Sequence, residues 1–435
     1  MYTNLKKYYY LISLFPFFFI TGSFLPDFFC SLFSVYFLYL LIKKKELNFL
    51  NNKIFFFFLI FYTYINLNSF NSFQPATSFQ TSLTFLRIIL FIFFISYFVK
   101  KYPKIINFTY YCFLLCLLSL FADSLSQFFF KVNIIGQKIN PGDRISSFFG
   151  DELIMGSYVA RLLPLIIGLS YLAELKKKIL LNSIIIIISF ALVILSGERT
   201  SFFYLIVFLF FYFLINKKQF FKLLIPIISV VIIIALNNSS SLDRISSHTI
   251  DQFKTSKFYL SYRHELHIVT AYQMFLDKKF LGHGLKSFRN LCSSEKYKDY
   301  IEEYNNKNIN KMLNNFSSAS DQNELIKKIK SNNACNTHPH SIFFEFLAEL
   351  GIVGFFFLCF LFLYTLKKFI VYFFAIVKSK RENSVICSKY FILLGFLTSM
   401  IPLIPSGSYF SNYLIIITYF PLGFYLSTQK IKKSD

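Results

Sequence analysis

Tryptophan is absent from the 435 residues, so any aromatic belt at a membrane surface must be built from tyrosine. No repeat of solenoid period is present, and nothing suggests a second soluble domain. Gly282 and Gly284 lack the strand and the G-x-G-x-x-G context of a nucleotide fingerprint. The first apolar run, 8–25, has no small-residue cleavage site and reads as a retained helix rather than a signal peptide.

What is abundant is apolar surface. Hydrophobic residues make up 55% of the chain and aromatics 21%, with 62 phenylalanines, more than a soluble core requires. Apolar runs of membrane-crossing length recur from end to end. They predict an all-α integral membrane protein of about 12 transmembrane helices, at 8–25, 28–42, 54–70, 82–99, 105–121, 153–172, 179–196, 201–215, 221–236, 343–366, 390–404 and 413–426. The stretch 369–377 is too short to cross and either extends the tenth helix or lies on the surface.

The net charge of +23 does not point to nucleic acid, because the lysines cluster between apolar runs and report topology. The wealth of Lys, Asn, Ile and Phe also has the character of codon bias. With Lys6 and Lys7 inside, the clusters at 43–45, 100–104, 176–178, 217–218, 378–380 and 430–433 all fall on the cytoplasmic side. Both termini are then cytoplasmic. The expected organisation is a bundle of nine spans over 1–236, a large periplasmic loop over 237–341 and three spans over 342–435, with 123–151 as a second outer segment.

All six histidines, at 248, 264, 267, 283, 338 and 340, lie in the large loop. Apolar spans exclude histidine anyway, which accounts for part of this. Arginine gives a separate signal: of the eight, only Arg381 is expected in the cytoplasm, while Arg87, Arg144, Arg161, Arg199, Arg244, Arg263 and Arg289 are not. A chain that otherwise uses lysine keeps arginine where a planar bidentate donor matters, as on diphosphate oxygens. Arg87 and Arg161 fall within spans, where an unpaired charge costs at least about 2.5 kcal/mol, so each marks either a polar cavity or a structural ion pair.

Three local patterns add chemistry. "LSGERTS" is a tight outer turn carrying Glu198 and Arg199. "SYRHELHIVTAYQMFLDKKFLGHG" reads as a helix that places Arg263 and His267 on one face, followed by a glycine turn. His264 and His267 have the spacing of a metal pair but no convincing third ligand. Cys292 and Cys335 are the two cysteines of the outer loop and are expected to pair on an oxidising face.

His340 and Ser341, then Gly351 and Gly354, fit the H-[NSQ]-x9-G-x-x-G pattern of the O-antigen ligase and polymerase superfamily. "SGERTS" resembles that family's Gly-x-Arg-Thr turn. "YRHELHIVTAYQMFLDKKFLGHG" resembles its Arg-led helix and Gly-x-Gly turn, and "RISSFFGDELIMGSYVARLLP" its upstream outer segment. Together these cover about residues 140–355. The resemblance implies transfer of a glycan from a polyprenyl diphosphate carrier to an acceptor, either lipid A-core or a growing glycan, without metal or other cofactor. Carried over by motif, His340, Arg199 and Arg263 are the expected catalytic residues. Arg144, Arg161, Arg289, His338 and Glu349 are expected to contact substrate, with the division of work between His338 and His340 open. Glu345 is expected to pair with an arginine, and Gly351 and Gly354 to allow close helix packing.

A reading from another class, a flippase or transporter of lipid-linked sugar, predicts ionisable residues spread through the spans. The histidines and most arginines here are instead gathered in outer segments.

Overall fold

A computed structural model describes residues 9–44, 52–237, 240–247, 249–250, 261–313, 334–379, 382–402 and 404–429. Lys6, Lys7, Lys45, His248, Lys380, Arg381 and the 430–433 lysines lie outside the described residues. Described residues form helices and no strand, with only two isolated antiparallel bridges, Val132–Lys138 and Asn140–Arg144, in the first outer segment.

After a 3-10 turn at Tyr9–Leu14 the helices run α1 Phe15–Ile20, α2 Phe24–Lys44, α3 Lys53–Phe70, α4 Pro75–Thr84, α5 Leu86–Lys101 and α6 Lys104–Phe130. There follow α7 Met155–Ser170, α8 Lys178–Ser196, α9 Arg199–Ile215 and α10 Lys217–Leu236. The large loop contributes α11 Ser240–Ile245, α12 Tyr262–Asp277, α13 Phe288–Leu291 and α14 Glu295–Leu313, and α15 Ile342–Lys378, α16 Ser384–Thr398 and α17 Asn412–Ser427 complete the chain. Seven helices are long and apolar enough to cross a membrane, and five further apolar helices are 10–17 residues long.

Every apolar run read from the sequence overlaps one of these helices, because a backbone in hydrocarbon must satisfy its hydrogen bonds within the segment. Boundaries shift where backbone chemistry intervenes. The first run is cut by a turn at Gly22 (φ 98°), so α1 stops at Ile20 and α2 starts at Phe24. The run 390–404 stops at Thr398, ahead of Pro402, which disfavours helical geometry in the residue before it. The 369–377 stretch continues α15.

Helix α7 lies at the centre, buried along almost its whole length. It crosses α16 where both are thin: a Cβ on Gly168 would sit 2.9 Å from Ile392, and one on Gly395 3.2 Å from Pro164. Rings of the aromatic spans interlock, as where Phe15 stacks on Phe420 with centroids 5.1 Å apart. Helix α10 is at the periphery, and its exposed Ile225, Ile232 and Leu236 present an apolar outer face.

Candidate active site

The site is assembled around a break in α15. Gly351 has φ 63°, outside the helical region, so the carbonyls just before it lose their helical partners. The glycine turn after α12 replaces them. The N–H of His283 donates to Ala348 O at 3.0 Å and that of Gly284 to Glu349 O at 2.8 Å, while Ile352 N–H donates back to Lys279 O at 2.8 Å. Tyr64 OH caps Leu350 O. The two backbones are nearly in contact: a Cβ on Gly351 would lie 2.3 Å from Phe280 O, and one on Gly282 2.5 Å from Glu349 C. Gly351 is thus a kink locked to the glycine turn rather than a helix-packing residue, which corrects the expectation drawn from the sequence.

That lock lays α12 along the start of α15, with Ala271 and Met274 packed near Ala348. Ser261 caps α12 by accepting from His264 N–H. Within the helix Glu265 and His267 are fully buried, and Tyr304 OH of α14 donates to Glu265 Oε1 at 2.7 Å. From the other side, the Cys292–Cys335 disulfide (Cα–Cα 5.1 Å) ties the end of α13 to the strap that carries His338 and His340.

Four histidines converge there. The His340 ring centroid lies 4.7 Å from that of His264, 5.2 Å from His267 and 4.2 Å from His338. Burial drives His264 down to about 4, reinforced by Arg199 and Arg263, and holds His340 far below the ordinary histidine value, reinforced by His338, His264, His267 and Arg263. His340 is therefore a neutral imidazole. Among the described residues no three His, Cys, Asp or Glu side chains are arranged to hold a metal ion.

Hydrogen bonds divide the two strap histidines. The Nε2 of His338 lies 3.2 Å from Ser406 O, a carbonyl that can only accept, so this nitrogen carries the proton. Its Nδ1 is 2.9 Å from the Thr337 hydroxyl, which donates. Both nitrogens of His338 are engaged. The Nε2 of His340 is 3.0 Å from Asn336 Nδ2, and Asn336 Oδ1 is occupied by Thr337 N–H at 2.7 Å, so the amide must donate to the ring. A proton on Nδ1 and a lone pair on Nε2 follow for His340. The strap backbone is pinned as well: His340 has φ 55°, and its carbonyl accepts from Ser406 N–H at 3.0 Å.

Arginines gather on the His264 side. Arg199, at the first turn of α9, bears on His264 and is joined by Arg144 and Arg244 around Gly197, whose Cβ position is 3.4 Å from Arg244 and 3.7 Å from Arg144. Arg144 Nε donates to Ser196 O at 3.2 Å. Among the described residues Glu198 makes no ion pair with these arginines. Its oxygens accept from Gly156 N–H (2.7 Å), Ser157 N–H (3.0 Å) and Ser201 OH (2.9 Å), tying the turn to α7, and burial lifts it to about 7.

The remaining expected residues separate from this group. Arg289 stands beside His338 and Lys286 on the opposite side of the strap. Arg161 is buried within the bundle, its guanidinium 5.0 Å from the Tyr204 ring centroid and donating to Ser157 Oγ and Ser399 O. It therefore braces α7 against α9 and the end of α16. Glu349, expected to touch substrate, is buried, and its carboxylate accepts from Lys286 N–H at 2.8 Å and Phe288 N–H at 3.2 Å, fixing the loop after the glycine turn. Among the described residues Glu345 pairs with no arginine, contrary to expectation; it accepts from Ser408 OH at 2.5 Å and Tyr409 N–H at 2.8 Å. Arg87 is ion-paired with Asp27 at 2.7 Å.

Asn336, Ser406, Lys286 and Arg244 were not singled out as site residues from the sequence. Asn336 carried a signal in its place between Cys335 and the two histidines. Ser406 is sixty-odd residues away in sequence, and no local pattern connects it to the strap.

The fold and this site define a multi-pass helical membrane protein with a buried neutral histidine beside an arginine cluster. Residues 184–359 match the family model for O-antigen ligase, so the superfamily expected from the sequence segments is found over that region. The match contains Arg199, Arg263, Arg289, His338, His340 and Glu349, while Arg144 and Arg161 precede it. The apolar helices together with this match indicate an inner-membrane protein. No match is found among curated proteins.

Proposed function

We propose that this protein transfers a glycan from a polyprenyl diphosphate carrier to an acceptor hydroxyl at the periplasmic face, ligating O-antigen to lipid A-core. The observation that carries this reading is the contact of neutral His340 with His264, on which the charges of Arg199 and Arg263 bear. Glycosyl transfer from a diphosphate needs two things: a cationic grip on the leaving group and a base for the acceptor proton. Arg199 and Arg263 supply the first, with Arg144 and Arg244 adding positive charge. His340 Nε2 supplies the second.

In the step itself the acceptor oxygen attacks the anomeric carbon and its proton passes to His340 Nε2. The carbon–oxygen bond to diphosphate breaks, and the electron pair leaves with polyprenyl diphosphate. Direct displacement inverts the anomeric centre, and charge stabilisation by arginine serves in place of a metal. In the proposed topology twelve helices cross the membrane, both termini are cytoplasmic and the histidine strap is periplasmic, at the depth of a lipid diphosphate head group.

The test is transfer by purified protein in detergent from a polyprenyl diphosphate glycan, with defined lipid A-core and repeat-unit acceptors. Wild type is expected to extend lipid A-core. His340→Ala is expected to lose about 10²-fold in rate, the low end of a general base's worth because burial makes this imidazole a weak base, and Arg199→Ala to lose transfer with weakened donor binding. Transfer to the repeat unit instead would make the protein a polymerase, and unimpaired transfer by His340→Ala would sink the mechanism.

A further inference from the structure

The strap that carries His340 separates cavities that differ in their balance of polar and apolar wall. On one side a cavity of about 410 Å³ has apolar walls, among them Phe202, Phe203, Ile206 and Pro405, with Arg199 and His264 at its polar end. On the other side lie two polar cavities of about 730 and 780 Å³ that share Arg289 and Thr337. The first of these polar cavities is lined by His338 and Lys286, and the second by Asn336, whose amide holds His340 Nε2.

The wall between the two sides is the loop before α17. Ile404 and Pro405 face the apolar cavity, while Gly407 and Ser408 face the polar one. Ser406, between them, holds both histidines through its backbone. The neighbours of His340, rather than the imidazole itself, line these cavities: His264 on one side, His338 and Asn336 on the other.

The polar side carries an excess of positive charge. Its walls include Arg87, Lys286, Arg289 and Lys298 against two carboxylates, Asp27 and Glu302. Arg87 is spent on Asp27. Lys286 Nζ donates to Ser408 Oγ at 3.1 Å, faces the buried Glu345 and Glu349, and is held in place by the Glu349 bond to its own N–H. The Arg289 guanidinium has no carboxylate partner among the described residues. The walls of the polar side are mixed, with Phe85, Phe410 and Ile301 among them, but its hydrogen-bonding groups and positive charge suit hydroxyls and an anion better than the other cavity does.

Resting on the transfer reading above, we infer that the acceptor binds in the polar cavities that share Arg289 and Thr337, and that it is an anionic glycan whose phosphate or carboxylate is taken by Arg289 and Lys286. The donor then occupies the apolar side, its lipid against Phe202 and Phe203 and its diphosphate on Arg199. Donor and acceptor approach the reacting carbon from opposite faces, as an inverting displacement requires. The acceptor hydroxyl meets His340 Nε2 beside the Asn336 amide, which keeps the ring oriented.

Binding and turnover test this separately. Binding is measured on His340→Ala protein in detergent, with four probes: phosphorylated lipid A-core, the same molecule dephosphorylated, a uronate-bearing repeat-unit glycan and a neutral one. One charged probe is expected to bind at least about tenfold more tightly than its neutral counterpart, as charge-assisted bidentate contacts allow. Whether that is the phosphorylated or the uronate probe identifies the source of the anion. Arg289→Gln is expected to abolish that preference while changing the donor KM less than about twofold, and Lys286→Gln to reduce it. Equal affinity for charged and neutral probes would overturn the inference, as would a preference that survives Arg289→Gln. Absence of transfer to every acceptor by wild type would instead overturn the transfer reading, so the two failures are distinct.

Discussion

His340 pairs an unusual backbone with an unusual proton affinity. A non-glycine residue at φ 55° costs about 1–3 kcal/mol, and the Ser406 and Asn336 bonds are what hold it there. Asn336→Ala is accordingly expected to lower kcat about tenfold or more through loss of the ring's orientation, with a smaller change in donor KM. Asn336→Asp would retain the shape but offer an acceptor to Nε2, reversing the tautomer, and is expected to be the more damaging of the two. The depressed proton affinity has a signed consequence. His340 stays neutral well below the pH at which free histidine charges, so kcat/KM is expected to remain level from pH 8 to pH 5; an acid limb near 6.5 would contradict the assignment. Stability moves differently. Below 6.5 the unfolded chain takes up protons at His264 and His340 that the folded protein refuses, so stability is full above 6.5 and falls as pH drops toward about 4. The decrease in Tm between pH 7 and pH 5 is expected to be smaller in His264→Gln than in wild type.

At the scale of elements, the break in α15 and the turn after α12 act as one unit. Gly351→Ala would force a Cβ to within 2.3 Å of Phe280 O at a left-handed φ, and is expected to destabilise the protein by about 2 kcal/mol or more and to displace the histidine strap. Gly354→Ala is a useful contrast, because its Cβ would meet chiefly the Leu350 side chain rather than backbone. The disulfide works on the same strap from the loop side. Closing 43 residues is worth about 4 kcal/mol in the chain-entropy account, so Cys335→Ser is expected to lower Tm and to slow transfer, as read by thermal melts and turnover of the same preparation.

At the scale of the whole molecule the proposed topology puts the lysine clusters inside and the histidine strap outside. It predicts that a cysteine placed at Lys131 is labelled by an impermeant thiol reagent from outside, whereas one at Lys177 is labelled only after permeabilisation. Labelling of both from the same side would remove the sidedness argument. Transfer in detergent, where no gradient exists, separates the enzyme from a transporter of similar span content.

The positions of the helices were legible in the sequence because a lipid solvent leaves a backbone few options, and apolar runs of sufficient length become helices whatever surrounds them. The ends were less legible, since Gly22 and Pro402 act through local dihedral preferences that hydropathy does not register. Arg199, Arg263 and His340 stand out in the sequence because arginine and histidine are scarce in this chain, and the fold sets His340 against His264. Glu349 could not be read correctly. Its carboxylate is spent on backbone N–H groups more than sixty residues away, and only the fold shows that such a partner exists. The same holds for Arg161, whose ring and carbonyl contacts come from α9 and α16. The sequence by itself determined an all-helical membrane chain with scarce ionisable groups concentrated outside the spans, because solvation energy acts residue by residue. The tertiary structure alone decided which nitrogen of which histidine keeps a lone pair, because that depends on hydrogen bonds between segments far apart in the chain.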